Sequence, residues 1–348
     1  MKHLKNLVLI TTSFILIGVA CTTSNDTTTA TLLGNWVKRS AFDGNGRAGA
    51  VSFVIGDTAY AGTGFDGTIR YSDFWAYNPT NDAWSQRAVM PATAVKRNSA
   101  AAFVASGKGY VTTGYDGINR LQDTWEFNPT TNSWIQKANF PDPPNSTVGS
   151  GARYGAVGFG IGTKGYICSG YTGSHTKDLW EYDPATNLWT AKASMNTSDK
   201  RTGAIALVHN SKAYIVTGTN NGSVVTEMAM YDPATNLWTK KREIANLSTE
   251  AYDDAYNTIV RGNGVGFVIG DKGYITTGEN GANVKTTWEY SFADDTWVEK
   301  TSYERSDRTS AVGFSVKGRG FVTLGRNSTF YFDNLDEFKP AEIYNAND

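Results

Sequence analysis

The sequence predicts an all-β fold: six four-stranded units set radially around one axis, with the ring closed by a strand from the N-terminus. Three observations predict it. A twelve-residue phrase recurs about every fifty residues, as "DFWAYNPTNDAW" ending at Trp84, "DTWEFNPTTNSW" at Trp134, "DLWEYDPATNLW" at Trp189, "EMAMYDPATNLW" at Trp238 and "TTWEYSFADDTW" at Trp297. Six arginines (Arg47, Arg97, Arg153, Arg201, Arg261 and Arg308) each stand thirteen residues before an aromatic and seventeen before a glycine. The composition, with 36 glycines and 10 tryptophans against 9 prolines, suits many short strands joined by tight turns.

Each unit resolves into four elements. The first strand follows the arginine and alternates apolar positions such as Val51 and Phe53. Its early positions are small in every copy, from Gly49-Ala50 to Ser310-Ala311, as they must be where six inner strands converge on an axis. The second strand resembles "KGYVTTG" and ends at a glycine that tolerates positive φ (Gly64, Gly114, Gly170, Gly218, Gly278, Gly325). The third carries the "WEY" pattern. An Asn-Pro or Asp-Pro turn then leads into a fourth strand that begins near tryptophan. Four strands per period describe a propeller blade.

Closure follows from the tryptophans. The sixth repeat reads as three strands ending at "TFYF" near Phe332, without a fourth-strand tryptophan. Trp36 lies eleven residues before Arg47, as Trp297 lies eleven before Arg308. It is therefore read as the outer strand of blade six, which removes exposed sheet edges. The Phe338 segment, "NLDEFKP", is the rival for that place. The propeller is bounded at residues 32–338, with a tail at 339–348.

The N-terminus carries a different signal. Lys2 and Lys5 precede the apolar run Leu7 to Val19, and Cys21 follows. Residues 1–20 read as a signal peptide, Cys21 as a lipidation site and residues 21–31 as a flexible tether. The expectation is an exported bacterial lipoprotein in the periplasm or at the cell surface, touching membrane through its lipid anchor only. Cys168 is the one other cysteine, so the body has no internal disulfide and relies on its core. A net charge of −1 gives no case for nucleic acid, and a monomer is expected.

These residues resemble kelch repeats from Trp36 to about Phe332: the opening arginine, the aromatic before the glycine, "YDPATNLW" and the paired aromatics. One departure stands out. Kelch repeats end the second strand with two glycines, whereas here the first is Thr63, Thr113, Ser169, Thr217, Thr277 or Leu324. The resemblance implies a propeller, and it leaves activity open among protein-binding modules, a copper oxidase acting on galactose and a sialic acid mutarotase.

Strand direction places the arginines, the loops between second and third strands and the two longest connections on one face. Arg47, Arg97, Arg153, Arg201, Arg261 and Arg308 are the candidate ligand-binding residues, with Asp66, Asp116 and Glu279 beside them. Guanidiniums around one mouth would suit an anionic glycan through bidentate contacts. The competing reading is that a residue present in every repeat serves the repeat. Asp66 and Asp116 equally suit capping of their own turns. The copper set implied by the oxidase relatives is not assembled by His175, His209 and Cys168, and no metal or cofactor is expected. The reading is a binding module for a protein or carbohydrate ligand. The alternative is a sugar mutarotase, its acid and base drawn from Glu250, Asp253, Asp254 and Glu279.

Overall fold

Each repeat forms one antiparallel sheet whose strands follow in order from the axis outward: Val51–Ile55, Thr58–Gly62, Phe74–Asn78 and Ala83–Arg87 in blade one. The computed structural model describes residues 33–142, 151–245 and 258–347, apart from the side chain of Thr197. Cys21, Glu250, Asp253 and Asp254 lie outside the described residues. Blades two to five open with Ala101–Ala105, Val157–Ile161, Ile205–His209 and Val265–Ile269. The six four-stranded sheets make a six-bladed β-propeller.

Blade six closes the ring. Its sheet runs Val312–Val316, Arg319–Thr323, Leu335–Ile343 and, outermost, Leu33–Arg39. Trp36 pairs in register with Phe338. Its indole N–H donates to Thr301 O at the end of blade five, at 3.3 Å. Trp84, Trp134, Trp189 and Trp238 likewise donate to Ser40, Ala88, Ala138 and Ala193 of the preceding blade. Trp36 is thus the outer-strand tryptophan of blade six.

The third strand of that blade differs from expectation. Phe330–Tyr331, within "TFYF", pairs instead with Arg326–Asn327 as a small hairpin, and the strand proper carries Phe338 and runs on to Ile343. The reason lies in packing between blades. In every blade an aromatic of the third strand rests on the second-strand aromatic of the blade before: Phe127 on Tyr60 and Tyr182 on Tyr110, with ring centroids 5.3 Å apart. Phe338 does this on Tyr274, at 5.4 Å. Phe332 lies too early in the chain to reach that position.

The axis is lined by small side chains, with Ala50, Ala100, Ala156, Ala204, Gly264 and Ala311 in one layer of the channel. Its two halves enclose about 240 Å³ and about 450 Å³. Inner strands approach closely there: a Cβ added at Gly158 would lie 2.3 Å from Ala102 O, so that position admits only glycine.

The meander fixes two faces. First strands leave the arginine face, second strands return to it, and the chain turns there into the third strand. Leu33, which pairs with Ile343, therefore starts on the opposite face, where the last strand also finishes.

Candidate functional site

The arginine face is built on two backbone rings. Gly49, Ser99, Gly155, Gly203, Asn263 and Ser310 each donate an N–H to the carbonyl of the equivalent residue in the preceding blade, at 2.7–3.0 Å, closing a cycle around the axis. All six adopt left-handed φ, between 52° and 64°. In the outer ring, Gly64 N donates to Arg97 O at 2.8 Å, and the pattern repeats through Gly325 N to Arg47 O.

The arginine side chains point into the blades. All six residues are 0% exposed. Arg97 donates from Nε to Val95 O and from Nη1 to Thr113 O, and its fork grips Asp123 at 2.6 and 2.5 Å. Asp123 also accepts from Trp125 Nε1 at 2.6 Å. Arg47 with Asp73 and Trp75, and Arg153 with Asp178 and Trp180, repeat the arrangement. Burial alone would raise the Asp178 carboxyl, but the hydrogen bonds and charge of Arg153 outweigh it and hold it below the usual range.

Blades four to six lack that aspartate. Arg201 and Arg261 donate instead to the carbonyls of Glu227 and Thr286, each at 2.9 Å. Arg308 stacks on Phe332, 4.0 Å from the ring centre. Burial pulls all three guanidiniums down from their ordinary value. The expectation of an exposed guanidinium ring is therefore corrected. These six side chains brace strands, and a ligand at the mouth would meet their neighbours.

Asp66 and Asp116 belong to their turns. Asp66 Oδ1 accepts from the N–H groups of Thr68 and Ile69, and its Oδ2 from the Tyr71 hydroxyl. Asp116 Oδ1 accepts from Ile118 and Asn119. In both, slight burial would raise the carboxyl, and these hydrogen bonds bring it below the usual range instead. Glu279 differs. It is half-buried at the mouth, accepts from Asn263 Nδ2 at 2.8 Å and lines a cavity of about 390 Å³ between the hairpins of blades four and five.

The mouth itself is made by the residue after each glycine: Phe65, Tyr115, Tyr171, Thr219, Glu279 and Arg326. Each bridges the residue after an arginine: Ala48, Asn98, Tyr154, Thr202, Gly262 and Thr309. Blades one to three supply an aromatic arc. The Arg70 guanidinium sits 4.5 Å from the Phe65 ring centre and 5.4 Å from that of Tyr115, with Nε donating to Asn98 Oδ1. The arc continues through Tyr154 to Tyr171, at 5.5 and 5.3 Å, and ends on His175. Blades four and five face it with Thr202, Thr219, Asn263 and Glu279. Sequence reasoning missed this arc. The available signal was a column holding five residue types in six repeats directly after a glycine that never changes.

The remaining candidates lie apart. His209 stacks on Phe292 at 4.3 Å at the end of a first strand, on the face opposite His175. Cys168 is buried in the second strand of blade three, where burial pushes its thiol up and leaves it inert.

No protein-family model matches the chain, and no curated protein matches it in sequence. Among solved structures it is similar to one titled "Structure of YjhT", with a TM-score of 0.66 and 16% identity, covering 85% of this chain and 95% of that one. At that identity the likeness speaks to fold alone. With six four-stranded sheets closed by an N-terminal strand, the chain is a six-bladed β-propeller that shares its fold with that structure.

Proposed function

We propose that the chain is an envelope-anchored binding module that takes a glycan at the mouth of the arginine face. The observation that carries this is the asymmetry of the mouth, with an aromatic arc from Phe65 to Tyr171 on one side and hydroxyl, amide and carboxylate groups on the other. A sugar ring has the matching character: apolar C–H faces that stack on aromatic rings, and edges of hydroxyls that need hydrogen-bond partners.

The test is a glycan array screened with the full chain, followed by titration of the best ligand. Tyr115→Ala and Tyr171→Ala are expected to weaken binding about tenfold or more with unchanged melting. No glycan bound, or binding insensitive to both changes, would remove the proposal.

A second reading, a sugar mutarotase, is favoured by one feature: Glu279 holds a carboxylate at the mouth, in the blade opposite Tyr115. Ring opening needs a positioned base and acid. Anomer exchange followed by NMR would be abolished by Glu279→Gln if this reading holds, and undetectable in the wild type if it does not.

A further inference from the structure

A second groove on this face lies beside the mouth. The hairpin tips of blades one and two and the connection between these blades enclose about 670 Å³. Its apolar surface comes chiefly from Ile69, Ala92, Val95 and Ile118. Ile118 is 86% exposed, and Ile69 and Val95 are each nearly half exposed. The turns do not demand these aliphatic side chains, since Asp66 and Asp116 cap them through the N–H groups of the backbone and the side chains of Tyr71 and Asn119. Equivalent tips in blades three and five carry Gly173-Ser174 and Gly281-Ala282. Adjacent exposed aliphatics rimmed by polar groups mark an interaction surface.

Charge narrows the occupant. Lys96 lines the groove and Arg120 follows its outer tip; both are exposed, and neither forms an ion pair among the described residues. Asp116, the carboxylate in the lining, is held by its own turn. A two-fold contact with a second copy would gather two Lys96–Arg120 pairs into one interface, a like-charge arrangement. A glycan finds no aromatic platform here, since none of the lining residues is aromatic.

We propose that this groove docks an extended segment of a partner protein, bearing two apolar side chains beside a carboxylate. The apolar pair would seat against Ile69, Val95 and Ile118, and the carboxylate would meet Lys96 or Arg120. This site shares Arg70 with the rim of the glycan mouth but none of its aromatic residues, so Ile118→Asp probes the groove and Tyr171→Ala the mouth, and the two proposals fail separately.

The experiment pans the full chain, in mild detergent, against a library of random twelve-residue peptides and titrates the enriched sequences. Enriched peptides are expected to share two apolar residues next to Asp or Glu. Ile118→Asp and Lys96→Glu should each weaken binding about tenfold or more, with melting unchanged, and Leu188→Asp on the outer rim should do nothing. No enriched sequence, or binding indifferent to Ile118→Asp, would overturn the proposal. So would finding that Ile118→Asp instead dissolves a self-associated species in sedimentation or releases the protein from anionic lipid vesicles.

Discussion

Arg97 and Tyr115 belong to the same blade and the same face, the one preceding Asn98 in the chain and the other bridged to it, yet they obey opposite rules. The arginine recurs in all six blades, is fully buried and spends its donors on its own blade. The residue at the tyrosine position is half-buried and changes from blade to blade: Phe65, Tyr115, Tyr171, Thr219, Glu279, Arg326. A periodic residue solves a problem that every blade has. An aperiodic residue on the same frame faces something without six-fold symmetry, as a bound ligand is.

The sharpest way to break the comparison is to remove the braces. Arg153→Ala leaves Asp178 without its partner and should cost about 3–5 kcal/mol, read by urea denaturation. Arg201→Ala removes bonds mainly to carbonyls, with the Asp199 carboxylate 3.6 Å away, and should cost less, about 1–3 kcal/mol. Equal losses would mean that the carboxylate pairs add nothing.

Closure ranks beside the braces. Trp36 is fully buried between Tyr303 and Phe338, so Trp36→Ala should cost about 3–5 kcal/mol in a single cooperative transition. Exposed Leu33→Ala should stay within about 0.5 kcal/mol. Early loss of blade six alone would show that the ring does not unfold as a unit.

Acid tests the Arg153–Asp178 brace together with two other ion-pair clusters, Glu126 with Lys108 and Lys137 and Glu337 with Arg39 and Arg319. Asp178, Glu126 and Glu337 are all depressed, since partner cations and hydrogen bonds outweigh the upward effect of burial. Their contribution is complete above the unfolded carboxyl range, near pH 4, and is lost as pH falls through the depressed native values. The urea midpoint should therefore fall below about pH 4, and Asp178→Asn should flatten that decline. A midpoint that holds steady down to pH 3 would contradict this account.

The smallest expected effect concerns the departure from paired glycines. Thr63, Thr113, Ser169, Thr217, Thr277 and Leu324 all retain left-handed φ, from 54° to 63°. The Thr113 hydroxyl is also buried without a partner among the described residues. Relief of left-handed strain and of that hydroxyl should exceed the entropy cost of glycine, so Thr113→Gly should gain about 0.5–1 kcal/mol. A loss of stability would show that the methyl and hydroxyl pack usefully.

What the sequence revealed follows the same division. Spacing alone exposed the blades, the small axial residues and the role of Trp36, because radial packing repeats. The Arg–Asp brace was also within reach: Asp73, Asp123 and Asp178 open the repeated phrase and keep near-constant distance from Arg47, Arg97 and Arg153. Phe338 was misplaced because the nearer "TFYF" imitates a strand, although Phe338 stands thirteen residues after Gly325, as Tyr77 does after Gly64. The aromatic arc was legible as a variable column but not as an arc, for a deeper reason. Phe65, Tyr115, Tyr154 and Tyr171 become neighbours only when three blades are wrapped around an axis.

The most direct test of the division is the thermal melt of Arg97→Lys. Lysine keeps the positive charge but cannot reproduce the fork to Asp123 together with the bonds to Val95 and Thr113. If the arginine is a brace, melting should fall by roughly 5–10 °C, and the fraction still folded should bind as before. An unchanged melt with weakened binding would make the arginine column the ligand site after all.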